Sequence, residues 1–202
     1  ENSDEISIQV QTGDPDFRGF EIARAQFFDS AQKIRVTFSM ENIMFSSNAL
    51  QKLDSPEYVE LLVHPKKHLF AVRKCSKDTR IGVKWASGAS GKMSPRPVSC
   101  AAYISTLFDL FGWNQRYRYR AGGIRRQRNG ESVLIFDLSE TEILIPADLL
   151  NDFCHQNDTS NLKFSPLHLP GRKQTILAYP QTWASSFGSK YYEHTQASET
   201  AA

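Results

Sequence analysis

Three cysteines in 202 residues, Cys75, Cys100 and Cys154, are too few and too scattered for a disulfide framework. None forms a C-x-x-C pair, so no structural zinc, and no other metal or cofactor, is expected. Long apolar runs are missing too. Nothing approaches the roughly 18 consecutive apolar residues of a membrane span, which excludes a helical integral membrane protein. No segment reads as a secretory leader, and the expected setting is a reducing, cytoplasmic compartment. The chain also lacks a phosphate-binding G-x-x-x-x-G-K-[ST] loop, since Gly91-Lys92-Met93 breaks its ending. No nucleophile elbow, dinucleotide fingerprint or Cys/His pair stands out, so no catalytic residue is assigned.

The most informative scarcity is that of acid in the middle of the chain. Residues 61–130 hold 15 basic side chains and only Asp78 and Asp109 against them. Residues 1–60 hold 5 basic and 11 acidic side chains, and residues 131–202 hold 4 and 9. The overall formal charge of +2 conceals a centre of +13 between flanks of −6 and −5. Such asymmetry points to a polyanionic partner.

What is present reads as short strands with a few helices. Thr12 to Asp16 is a turn, and residues 20–28 are apolar enough to dock on a core. Ile34, Val36 and Phe38 alternate with polar residues, as in a half-buried strand. Asn42–Phe45 is a second short strand, and Ser46-Ser47-Asn48 caps a helix over Ala49–Leu53. Tyr58–His64 and His68–Lys74 form a hairpin around Pro65-Lys66-Lys67. A similar order follows: a strand over Ile81–Ala86, a Gly/Ser-rich loop from Ser87 to Ser94, and a helix from Cys100 to Phe111 with an apolar stripe ended by Gly112. Strands over Arg116–Ile124 and Ser132–Leu138 then flank a loop at Arg125–Gly130. Residues 34–75 and 81–138 therefore read as two copies of one β-α-β-β unit. Ile143–Pro146 finishes a strand, Ala147–Cys154 is a short helix, and 155–175 reads as loop. The aromatics of Tyr179–Phe187 tether the C-terminus, and disorder is expected from about Gln196.

Two resemblances rest on particular segments. NIMFSSNALQKLDSPEYVELLVHPKKHLFAVRK resembles the strand–short helix–hairpin unit of AbrB-like swapped-hairpin transcription factors. There a dimer partner supplies the second copy; here residues 81–138 take that place. The basic residues which that family sets around the short helix are missing apart from Lys52, so no DNA-contact residue carries over. EYVELLVHPKKHLFAVRKC, FDLFGWNQRYRYR, LIFDLSETEI and WASSFGSKYYEH together resemble proteins encoded in Firmicutes mobile elements beside site-specific recombinases, some labelled integrase. The resemblance implies a DNA transaction. None of the five histidines has Arg three residues later, so tyrosine-recombinase chemistry is not expected, and nothing reads as a serine-recombinase domain. An accessory role remains.

The candidate site is Arg116-Tyr117-Arg118-Tyr119-Arg120. On a strand, its three arginines share one face at about 6–7 Å spacing, close to that of phosphates along a nucleic-acid strand. Arg125, Arg126 and Arg128 sit on the adjoining loop, and Lys66 and Lys67 on the equivalent loop of the first copy. Arg126, Gln127 and Asn129 are of the types that read base edges. Lys92 and Arg96, in the Gly/Ser-rich loop, complete the set. Asp137, Glu140 and Glu142 offer a weaker nuclease-like cluster.

The expected fold is α+β: a curved, mostly antiparallel sheet or small barrel built from two β-α-β-β units, with short helices. An N-terminal segment (1–33), a core (34–146) and an irregular C-terminal extension (147–202) divide the chain. The expected function is non-catalytic nucleic-acid binding, DNA ahead of RNA, as an accessory or regulator acting with a recombinase. The rivals are a module docking its basic face on an acidic protein, and a metal-dependent nuclease.

Overall fold

The computed structural model describes residues 33–89, 92–99, 101–167 and 174–183. The turn at Thr12–Asp16, the apolar stretch 20–28 and the tail beyond Trp183 lie outside them. The described residues form an α+β fold with a mostly antiparallel ten-stranded sheet, a separate two-stranded ribbon and three short helices. The sheet does not close, so of the two forms expected, open sheet or small barrel, the open one is found. No helix among the described residues is long and apolar enough to cross a membrane.

Strand β1 (Ile34–Phe38) buries Ile34, Val36 and Phe38, and turns tightly into β2 (Ile43–Phe45). Ser46 then ties helix α1 (Ser47–Lys52) to β1. Its hydroxyl accepts from the backbone N–H of Ala49 (3.2 Å) and of Arg35 (3.1 Å), and donates to the Lys33 carbonyl (3.2 Å). One donor and both acceptor positions are thus used. Strands β3 (Tyr58–His64) and β4 (Leu69–Lys74) form a hairpin around a 3-10 turn at Pro65–Lys67, with His68 left-handed at φ 53°.

The next segment differs from its expected form. The strand expected over Ile81–Ala86 is reduced to β5 (Val83–Lys84), and the Gly/Ser-rich loop is a second ribbon, β6 (Ala86–Ala89) and β7 (Lys92–Pro95). Small side chains allow close strand pairing without leaving an apolar alternation to read. Helix α2 (Ala101–Phe111) buries Ile104, Leu107 and Phe108 and ends at Gly112, φ 63°.

Strand β8 (Arg118–Arg128) is longer than expected. It takes in the stretch read as a loop at Arg125–Gly130, leaving only Asn129-Gly130 as the turn into β9 (Glu131–Asp137). Asn129 (φ 50°) and Gly130 (φ 79°) both have positive φ, as a two-residue type I′ hairpin turn demands. Then follow β10 (Glu142–Pro146), a 3-10 turn at Ala147–Leu149, and helix α3 (Leu150–Gln156). The stretch read as loop at 155–175 holds β11 (Leu162–Leu167), which pairs with β12 (Thr175–Pro180).

The registers show how the sheet is organised. Gly123 pairs with Ile34 of β1 and with Phe136 of β9; Tyr119 pairs with Phe38 of β1 and with Ile143 of β10. A strand has two edges, so β1 holds one edge of β8, while β9 and β10 follow each other along the opposite edge. The sheet forks there, β9 leading to β4 and β10 to β12. Along the first branch the order is β5-β3-β4-β9-β8-β1, in which β5 and β1 occupy equivalent places at the ends. The outermost strand of each hairpin comes from the other half of the sequence. Register agrees in detail: Val83 and Lys84 face Val59 and Tyr58, as Val36 and Thr37 face Ala121 and Arg120.

The inner face is a core of large aromatics. Phe38, Phe45, Phe70, Phe136 and Trp85 are buried with ring centroids 5.0–6.3 Å apart. Trp85 satisfies its indole N–H on the Pro56 carbonyl at 2.8 Å. A smaller cluster of Leu144, Leu167, Leu177, Tyr179 and Trp183 anchors the last strands.

Gly123 is the tightest point of β8. A Cβ there would lie 2.4 Å from the buried Phe136 ring and 3.0 Å from Ile34, whereas at neighbouring Gly122 it would meet nothing within 4 Å. Gly123→Ala is expected to destabilise by about 1–3 kcal/mol through overpacking. Gly122→Ala is expected to be neutral or stabilising by up to about 1 kcal/mol. Urea unfolding of the two variants checks this; equal stability would remove the steric account of Gly123.

Candidate nucleic-acid interface

Alternation along β8 decides where its arginines go. Tyr117, Tyr119 and Ala121 are buried on the inner face, with the Tyr119 ring stacked on Trp113 at 4.5 Å. Arg118 and Arg120 therefore point to the outer face, followed by Gly122, Ile124 and Arg126. Arg116 precedes the strand, in a turn. Yet Arg116, Arg118 and Arg120 line one cavity of about 570 Å³, together with Gln115, Asn42 and Met44 among others.

Carboxylates of the acidic C-terminal flank pair with Arg120 and Arg116. Arg120 Nε donates to Glu142, the residue directly opposite it on β10, and both side chains are nearly buried, 11% and 12% exposed. Arg116 Nη2 donates to Asp152 of α3 at 2.8 Å, with both side chains about half-exposed. The same compensation recurs elsewhere. Arg73 pairs with Glu60 at 2.6 Å and with Glu131 at 3.7 Å, and Lys84 with Glu57 at 2.5 Å. Every acid in these pairs lies outside residues 61–130. The basic middle is therefore not the uninterrupted cationic stripe expected from its composition.

The other expected contacts divide between three places. Arg125, Arg126 and Arg128 lie on strand β8 and not on a loop. Arg125 turns to the inner side and donates to Ser132 Oγ through Nη2 (2.7 Å) and Nε (3.1 Å). Arg126 is exposed on the outer side and makes no ion pair among the described residues. Lys66 and Lys67 are exposed in the β3–β4 turn. Leu69 pairs with Asp137 and Arg73 with Val133, so the β3–β4 and β8–β9 turns lie at opposite ends of the sheet. The two basic turns, although they stand at equivalent places in the two expected copies, do not share a side. Lys92 opens β7 and Arg96 follows its end; both are exposed and neither lines the cavity.

Among the described residues the β8–β9 ribbon outruns its neighbours. On one edge β1 pairs with β8 only as far as Gly123; on the other β4 pairs with β9 only as far back as Val133. The pairs Gln127–Ser132 and Arg128–Glu131 and the turn beyond them form a two-stranded tip.

The acidic cluster does not assemble. Asp137 accepts from Ser139 N (2.9 Å) and Oγ (2.5 Å), closing a turn, while Glu142 is held by Arg120. His64 and His68 have a four-residue spacing that the reading of the sequence passed over. They bracket a turn rather than sharing a helix face, and the His68 ring packs edge-on against Phe111 at 5.4 Å. Among the described residues no group of three or more His, Cys, Asp or Glu is placed to hold a metal ion. The cavity's apolar lining, Met40, Met44 and Leu144 included, and the partners Glu142 and Asp152 had no local sequence signal. Comparison of the chain with protein-family models, curated proteins and solved structures gives no significant match.

Two outcomes follow from this geometry. Glu142→Ala removes a carboxylate partner of the nearly buried Arg120 charge and is expected to destabilise by up to about 3–5 kcal/mol in urea unfolding. Asp152→Ala, at a surface pair, should leave the midpoint unchanged. Burial pushes the Tyr119 hydroxyl up to about 12, from an ordinary value of 10. Below pH 10 both folded and unfolded chains keep that proton. Between pH 10 and 12 the unfolded chain loses it first, so about 2–3 kcal/mol of stability should disappear over that window. Tyr119→Phe should remove this component of the alkaline transition in circular dichroism.

Proposed function

We propose that this protein binds nucleic acid, DNA ahead of RNA, without acting on it chemically. The observation that carries the reading is that Arg118, Arg120 and Arg126 share the outer face of a single strand, Arg120 held on Glu142 and Arg126 exposed beyond Gly122 and Ile124. At about 3.3 Å per residue this row extends about 26 Å, the length of several phosphate steps. The ribbon tip supports the same reading. A two-stranded β-ribbon is one of the elements that a DNA major groove admits, and Arg126, Gln127 and Asn129 are suited to base edges. Phosphate contacts would set position and the tip would supply specificity. The exchanged outer strands support the likeness to swapped-hairpin DNA-binding folds. The resemblance to mobile-element proteins supplies the setting, an accessory or regulatory factor acting with a recombinase.

A second reading has its own observation. Leu62, Ala71, Ile135 and Ile124 stand directly opposite one another across β3, β4, β9 and β8, and Leu62 (39%) and Ile124 (48%) are exposed. An apolar row edged by Arg126 suits a protein surface with an acidic rim.

A fluorescence-anisotropy titration with duplex DNA across a salt series separates the two. Binding should weaken steeply with salt, each neutralised phosphate contributing about 0.9 to the logarithmic slope. Arg126→Ala should lower that slope by about one unit while leaving the thermal midpoint in place. A flat salt response, or an unchanged slope in the variant, counts against the phosphate row and in favour of the protein-docking reading.

A further inference from the structure

The cavity at one end of the arginine row, lined by Arg118 and Arg120 themselves, is a different kind of surface from an open strand face. A duplex backbone passing over an open strand needs guanidinium heads and no depth. A volume of about 570 Å³ is far more than one phosphate requires and falls in the range that encloses a small organic ligand. Its lining is chemically mixed. Arg116, Arg118, Arg120, Gln115 and Asn42 bring N–H donors, while Met40, Met44, Leu144, Pro146 and Leu167 bring apolar surface. The carboxylates that pair with Arg120 and Arg116, Glu142 and Asp152, are not part of that lining. Glu142 instead fixes the direction of Arg120. The half-exposed Arg116–Asp152 pair is of the kind that contributes little and exchanges easily.

We propose that this cavity receives the terminal nucleotide of a nucleic-acid strand, its phosphomonoester on Arg116, Arg118 and Arg120 and its base against the methionines. This rests on the nucleic-acid reading above. An internal nucleotide is tethered on both sides and carries a single diester charge. A strand end enters a cavity from one side, and a terminal phosphomonoester carries a charge of about −1.5 to −2 with three acceptor oxygens. Planar guanidinium groups pair with such oxygens through two parallel bonds, which a diester offers less completely. Methionine is unbranched and polarizable, and adapts to flat aromatic faces of differing outline. Glu41, the one acid of the lining, is of the type that accepts from an exocyclic amino group of a base.

The test uses the full chain and short single strands of one sequence carrying a 5′-phosphate, a 3′-phosphate or a hydroxyl at both ends, followed by fluorescence anisotropy. One of the two phosphorylated strands should bind about ten-fold more tightly than the hydroxyl strand, the effect of one added charge-assisted hydrogen bond. Arg118→Gln should bring that ratio to about one. Arg116→Gln, at a half-exposed position where folding is not at stake, should reduce it. Equal affinity for the three strands in the wild-type chain overturns the terminal pocket and leaves nucleic-acid binding standing. No binding of any of the three strands likewise overturns the terminal pocket, and the nucleic-acid reading then stands or falls on the duplex titration alone.

Discussion

Strand β8 is gripped on both edges between Tyr119 and Gly123, and the rest of the molecule is arranged around that grip. At Gly123 the backbone of β8 meets the Phe136 ring on β9 and Ile34 on β1 so closely that a methyl group has no room. Because β9 and β10 share one edge, the sheet divides into a branch of hairpins and a branch carrying the last strands. The inner face of β8 is fixed by Tyr117 and Tyr119 against Phe153, Phe108 and Trp113. Their burial leaves the alternate residues no direction but outward. The arginine row is thus a product of core packing, held by aromatics on the reverse side of the same strand.

Charge is organised by pairing across long sequence distances. Glu57 and Glu60 from the first acidic flank, and Glu131, Glu142 and Asp152 from the second, reach basic residues of the middle. The pairs do not contribute equally. Arg120–Glu142 is nearly withdrawn from water and serves to orient a side chain at the cavity, whereas Arg116–Asp152 and Lys84–Glu57 are screened by solvent. Local neutralisation lowers the self-repulsion of a strongly basic segment while leaving selected positions cationic.

Much of the architecture was legible where apolar periodicity met water on one side. Ile34, Val36 and Phe38 announced β1 and Ser46 announced the cap of α1, while the hairpin turn at Asn129-Gly130 lay inside a longer stretch read as loop. The misreadings have a common cause. Residues 125–128 form strand, but both faces of the ribbon tip are polar, so no alternation of burial is written into Arg-Arg-Gln-Arg. In β6 and β7 the side chains are too small or too exposed to show a period. β11 interleaves Lys163 and Pro166 with Phe164 and Leu167, burying only Ser165 and Leu167. At the candidate site the alternation of Arg118 with Tyr119 was visible. The carboxylates facing Arg120 and Arg116 were not, since they lie 22 and 36 residues away and only the pairing of β10 and the docking of α3 bring them near.

The exchange of outer strands has a consequence for how the chain comes to be folded during synthesis. A ribosome releases β1, β2 and the β3–β4 hairpin well before β8 exists, and β1 finds its second edge partner only when β8 emerges. The β3–β4 hairpin, in turn, is closed on its outer side by β5 but waits for β9 on the other. Neither half is complete alone, and contacts between distant segments close the loop late and slowly. Until then the nascent chain carries an unsatisfied strand edge lined on its apolar face by Val36 and Phe38, a surface suited to a chaperone's grasp or to mispairing with a neighbouring chain.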